Sequence, residues 1–184
     1  MRYLYFILVQ FVAMSAYAQL DVPSWLLPDT LGQYVAINGQ MMLSSDSLET
    51  SGYVSIIRHG KQDDMYHFST ERNGTFIIYL PANGHYSVRF EKKGHISKTI
   101  DVFTVNVPKK AWKNTFAIDL VAYMEKQPLG FDENISKIPY NIVKYSPEVK
   151  FFIFDEEFET IRRQALDKEI QRCTQAKALS GVKF

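Results

Sequence analysis

Between Gly52 and Tyr123 the chain repeats one arrangement that leaves little choice of fold. Short runs with two-residue alternation are separated by turn signals at near-regular intervals. Asn73-Gly74 leads into residues 75–80, Pro81-Ala82-Asn83-Gly84 into residues 85–90, and Lys92-Lys93-Gly94 into a run ending near Phe103. Successive side chains in a strand point to opposite faces. Phe76, Ile78 and Leu80 therefore share one face, and Ile77 and Tyr79 the other. Tyr86, Val88 and Phe90 point inward, with His85, Ser87, Arg89 and Glu91 outward. Phe116, Ile118 and Leu120 repeat the scheme, with Thr115, Ala117 and Asp119 outward. Weaker strands are expected at residues 33–38, ending in an Asn38-Gly39 turn, and at 53–58 and 65–70. Another covers Ile96, Ile100 and Val102, where Lys98 interrupts and its stem has to reach a sheet edge. Together they make a mainly β, antiparallel sandwich of about seven strands.

The first residues read as a secretory signal. Arg2 is a minimal basic start, residues 3–14 are apolar apart from Gln10, and Ala16-Tyr17-Ala18 supplies the small-x-small cleavage pattern. The apolar run is shorter than the roughly 20 residues that span a bilayer, so no stable membrane insertion is expected after cleavage. Without Arg2 the chain has 20 basic and 20 acidic residues. That balance gives no electrostatic case for nucleic acid or an anionic lipid surface. Cys173, the single cysteine, excludes an intramolecular disulfide; it reads as a half-buried, inert thiol.

The expected organisation is a signal peptide at 1–18, an extended lead-in at 19–32 pinned by Trp25 and Leu26-Leu27, and the sandwich at 33–124. After Met124 the periodicity stops. Pro128, Pro139 and Pro147 punctuate residues 125–154, expected as an extended segment packing on the sandwich, with Phe151-Phe152-Ile153-Phe154 as a buried strand or plug. Residues 155–178 read as a helix capped by Asp155, because Phe158, Ile161, Ala165, Leu166, Ile170 and Cys173 recur at helical spacing. Glu156, Glu157 and Glu159 come early and the basic residues later, in the order that suits the helix dipole. Residues 179–184 form a tail.

The run Gly52-x-Val54-x-Ile56 to Gly60-Lys61, then Asn73-Gly74-x-Phe76, Leu80-Pro81, Gly84-x-Tyr86-x-Val88-x-Phe90 and Lys93-Gly94-His95, resembles the carboxypeptidase regulatory-like domain. The resemblance implies a transthyretin-like, immunoglobulin-class sandwich of the kind exported to Bacteroidetes envelopes. Phe154-Asp155-Glu156-Glu157-Phe158 is similar to an extension found in such exported versions. The sequence departs from the family at His95, where Tyr is usual, and at Asn73, where Asp is usual. These are fold motifs, so the resemblance implies assembly or recognition and no reaction.

Nothing in the residue spacing points to catalysis. There is no Gly-x-Ser-x-Gly elbow and no Gly-rich phosphate loop, and Cys173 is remote in sequence from every histidine. His59, His67, His85 and His95 lack the close spacing of a zinc motif and are expected as solvated residues, a His67/His85 pair across neighbouring strands being the metal-binding alternative. Asp63-Asp64 reads as a turn, since calcium needs a richer set of oxygens. Asn73-Gly74-Thr75 and Asn134-Ile135-Ser136 match glycosylation sequons, incidental in a bacterial chain. No catalytic, cofactor-binding or metal residues are assigned, and no cofactor is expected. The expected function is an exported, non-catalytic accessory of the periplasm or cell envelope that binds a partner protein. Phe158, Ile161, Arg162 and Leu166 on a loosely held helix are the candidate partner surface. The alternative is a glycan- or ligand-binding module using the outward aromatics Tyr79, Phe103 and Trp112.

The mature chain is predicted to begin at or near Gln19. Sequencing the N-terminus of protein recovered from the envelope fraction checks it, and an intact Met1 in an alkali-resistant membrane pellet would contradict it.

Overall fold

Alternation decides which side chains meet, and the computed structural model shows where. It describes residues 22–27, 33–43, 51–60, 64–113 and 116–179; the expected signal segment, Asp63, Thr115 and residues 180–184 of the tail lie outside the described residues. Among the described residues nine strands form: β1 (Tyr34–Leu43), β2 (Tyr53–Arg58), β3 (Asp64–Ser69), β4 (Thr75–Pro81), β5 (His85–Glu91), β6 (Lys98–Phe103), β7 (Phe116–Met124), β8 (Asn141–Ser146) and β9 (Phe151–Phe154). Two α-helices are described besides, α1 (Asn134–Lys137) and α2 (Glu156–Leu179). One sheet has the order β4-β1-β7 and the other the order β3-β2-β5-β6-β8-β9. The pairs β1/β7 and β6/β8 are parallel and the remaining pairs antiparallel.

The inward rows meet as the alternation requires. Tyr86, Val88 and Phe90 are wholly buried, with Phe76, Ile78 and Leu80 and Phe116, Ile118 and Leu120 beside them in one core. Phe76 of the smaller sheet reaches Phe68 and Phe90 of the larger, with ring centroids 6.4 and 5.6 Å apart. The lead-in is pinned in part: Leu26 is buried and Trp25 packs against the core, but Leu27 is exposed and Ser24–Leu26 is a 3-10 turn rather than extended chain. The Pro81–Gly84 turn is locked by Thr104, whose hydroxyl accepts from Gly84 N at 2.9 Å and donates to Pro81 O at 2.8 Å. The Tyr86 hydroxyl also donates to Pro81 O, at 3.1 Å, and burial raises its phenol pKa.

Two expectations on strand extent are corrected. Asn38-Gly39 is no turn; β1 runs through it to Leu43. Gly39 is needed for close approach, because a Cβ there would fall inside the Phe76 ring. Residues 125–154 are not merely an extended cover, since β8 joins β6 and β9 joins β8, which accounts for nine strands rather than seven. The run 151–154 alternates: Phe152 is buried, while Phe151 and Ile153 are exposed. Phe152 enters an aromatic cluster with Trp112, Phe116 and Tyr145. Trp112 is therefore core, not an outward aromatic as its sequence position suggested.

Phe90→Ala is expected to cost about 3–5 kcal/mol through lost packing and a residual cavity. Arg89→Ala, which loses only the part-exposed pair with Glu91, should cost less than about 1 kcal/mol. Urea denaturation of both variants measures the difference.

Candidate functional site

A groove of about 500 Å³ opens between β7 and α2. One bank is β7, which pairs only with β1 among the described residues and so ends the smaller sheet as an open edge. The other bank is the start of α2 with Tyr140 and Asn141, and Phe90, Ile100 and Leu166 line the space between them. Val121 and Tyr123 are exposed on β7, at 46% and 55%. An edge strand presents a row of unsatisfied N–H and C=O groups that a further strand can pair with.

Polar bonds fix the helix bank in place. Asp155 caps α2, accepting from Phe158 N at 3.1 Å, and takes Lys144 Nζ at 2.9 Å. Lys144 first, and then the Phe158 N–H, hold the Asp155 carboxyl below its ordinary pKa. Arg162 donates to the carbonyls of Pro139 at 3.0 Å and Ile135 at 2.7 Å, satisfying the end of α1; partial burial lowers its pKa. Glu169 accepts from Asp132 N at 2.9 Å and from Arg172 Nε at 2.7 Å, while Arg172 reaches Gly130 O at 2.8 Å. Asn141 donates to Glu159 Oε2 at 2.5 Å, and Arg163 pairs with the other Glu159 oxygen.

The residues assigned from sequence as a partner surface divide accordingly. Leu166 is buried against the fold, Arg162 is a docking residue, and Phe158 is half-buried. Only Ile161, 58% exposed, stays open to a partner. The expectation of a loosely held helix is also corrected. Hydrophobic periodicity could not show its attachment, because side chains binding loop carbonyls supply much of it. Cys173 is buried on the same face, and that burial raises its thiol pKa.

The groove is mildly acidic. Its charged lining residues are Lys98, Arg163, Asp119, Glu125, Glu159 and Asp167. Both cations are already paired, Lys98 with Glu125 at 2.9 Å and Arg163 with Glu159. Lys98 also lies 4.4 Å from the Tyr140 ring centroid, so it is buried in the fold rather than reaching a sheet edge. The histidines regroup as well. His67 is exposed on β3 opposite Ser55, whereas His85 lies beside His59 and Asp101. Of the three outward aromatics, Trp112 is core, Phe103 stacks on His85, and Tyr79 packs edge-on against Tyr34. They form no flat stacking row.

No protein-family model matches the sequence, and no curated protein matches it. Among solved structures, 3-chlorocatechol 1,2-dioxygenase from Rhodococcus opacus 1CP is 13% identical at a TM-score of 0.38, over 55% of this chain and 63% of that one. A 9R-lipoxygenase from Cyanothece PCC8801 is 15% identical at 0.31, over 68% of this chain and 21% of that one. The dioxygenase domain of a dioxygenase–carbohydrate-binding fusion from Streptomyces sp. SirexAA-E is 14% identical at 0.34, over 57% and 96%. Similarity this low carries no argument about function; the sandwich rests on the sheets described above.

Glu169 yields a pH prediction. Arg172, and then the Asp132 N–H, lower its pKa from 4.5 to about 2. A carboxyl depressed by folding stabilises fully above its unfolded pKa, and loses that stabilisation as pH falls through the folded one. Acid should therefore weaken α2 docking between about pH 4.5 and 2. Glu169→Gln should flatten that part of the profile, read as urea midpoint against pH.

Proposed function

We propose that the chain is an exported, non-catalytic β-sandwich accessory of the bacterial cell envelope, whose work is to bind a partner protein. The single observation that carries this is the open edge of β7 bordering a groove whose opposite bank is docked by side-chain bonds to loop backbone. An extended peptide can add there as a strand, its main chain pairing with β7 and alternate side chains entering the groove. The acidic lining favours a segment with basic residues. The resemblance to carboxypeptidase regulatory-like domains agrees with an accessory role, and the signal-like first 18 residues support export to the periplasm or envelope. No helix among the described residues is long and apolar enough to cross a membrane. The glycan alternative has less support, since the aromatics it would use are packed against neighbours.

A photo-crosslinking residue at Val121 tests the reading, with Met65 on β3, the edge strand of the other sheet, as comparison. A discrete crosslinked protein is expected from Val121 and not from Met65. Reversing the lining charges with Asp119→Lys and Asp167→Lys should reduce it about tenfold or more. Equal capture from Met65 would move the partner to the larger sheet, and no capture from either position would sink the proposal.

A further inference from the structure

We propose that His59, His85 and Asp101 form a site for a divalent transition-metal ion on the outer face of the six-stranded sheet. Strand register creates the cluster. His59 N donates to His85 O at 2.9 Å, extending the β2/β5 ladder one rung beyond Arg58 and Tyr86. The two imidazoles consequently lie side by side, with centroids 4.3 Å apart. On the other flank, β6 places Phe103 opposite His85 and Asp101 opposite Ser87. Phe103 stacks on the His85 ring at 4.1 Å and 13°, which fixes the ring plane.

The donor atoms converge. One ligand atom from each of His59, His85 and Asp101 lies within 4.8 Å of the other two. His85 Nε2 and Asp101 Oδ2 are 3.4 Å apart, and a tetrahedral ion with bonds of about 2.1 Å spaces its ligands by about 3.4 Å. His85 Nε2 is buried, makes no hydrogen bond and faces Asp101 Oδ2 across 3.4 Å, so a cation held between the two would satisfy both atoms. Ser87 supports the other two ligands. Its hydroxyl donates to Asp101 Oδ1 at 2.6 Å and lies 2.8 Å from His59 Nε2. A serine has one proton; with that given to Asp101, its oxygen accepts from His59. Such outer partners aim the ligands of a metal site.

Two imidazoles and a carboxylate select the ion. Calcium and magnesium require oxygen ligands, whereas imidazole suits zinc and its first-row neighbours. All three ligands are part-exposed, so water can complete the coordination. The pairing considered from sequence, His67 with His85, is replaced: Ser55, opposite His67, pairs with Arg89 rather than with His85.

Chelator-treated full-length protein should be titrated with Zn(II) by calorimetry and with Co(II) by visible absorption. Saturable binding of a single ion, a higher melting temperature and a Co(II) ligand-field band are expected. His85→Phe keeps a ring against Phe103 but removes the nitrogens, and Asp101→Asn removes the charge while keeping the shape. Each should weaken Zn(II) about tenfold or more and abolish the Co(II) band, with circular dichroism unchanged. His67→Ala should bind like the parent. Absence of saturable binding would overturn the proposal. So would parent-like affinity in folded Asp101→Asn, or an equal loss in His67→Ala.

Discussion

Phe76 sits between the two sheets, over Gly39 on its own sheet and against Phe90 on the other. Close packing of that kind makes the spacing between layers sensitive to a single methyl group. A side chain at 39 would push Phe76 into the Phe68 and Phe90 rings or force β1 away from β4. Since β7 is held by β1, its edge would move too, and with it one bank of the groove. A buried glycine-aromatic contact thus sets the geometry of a surface feature that it does not touch.

The other bank is built differently. The face that α2 buries contains Leu166, Glu169 and Cys173, too little apolar surface to explain a 24-residue helix by hydrophobic burial alone. Directional bonds from Arg162, Glu169 and Arg172 to loop backbone supply orientation. The loop gains as well, because the end of α1 and the turn at Gly130 obtain partners for carbonyls and an N–H. Helix and loop are consequently one unit, and β8 and β9 tie that unit to the main sheet.

What the sequence disclosed follows from the range of each interaction. The rows through Phe76, Tyr86 and Phe116 were legible because alternation is a local property, and the helix because its apolar period and Asp155 cap are local too. Asn38-Gly39 misled: the residues favour a turn, but a long-range contact with Phe76 holds them in a strand. Residues 141–146 gave no strand period strong enough to compete with the surrounding prolines, whereas the apolar run 151–154 read as a strand or plug; that β8 pairs with β6 and β9 with β8 is visible only in three dimensions. The groove and the His59, His85 and Asp101 cluster were illegible for the same reason. His59 follows the expected end of a strand, and only the β2/β5/β6 register brings these three residues to one face. Arg162 and Leu166 showed the opposite problem: helical spacing identified their face but not whether the fold itself covers it.

The parallel pairing of β1 has a consequence for synthesis. Its two neighbours, β4 and β7, are separated from it by the strands of the other sheet. As the chain emerges, β1 has no partner until residues 75–81 appear, and one of its sides stays open until residues 116–124 follow. Closing such distant pairs is entropically slow. For that interval Val35, Ile37 and Met41 sit on a nascent strand that other chains can pair with. A chain cut short before Phe116 would therefore keep one side of its first strand unpaired.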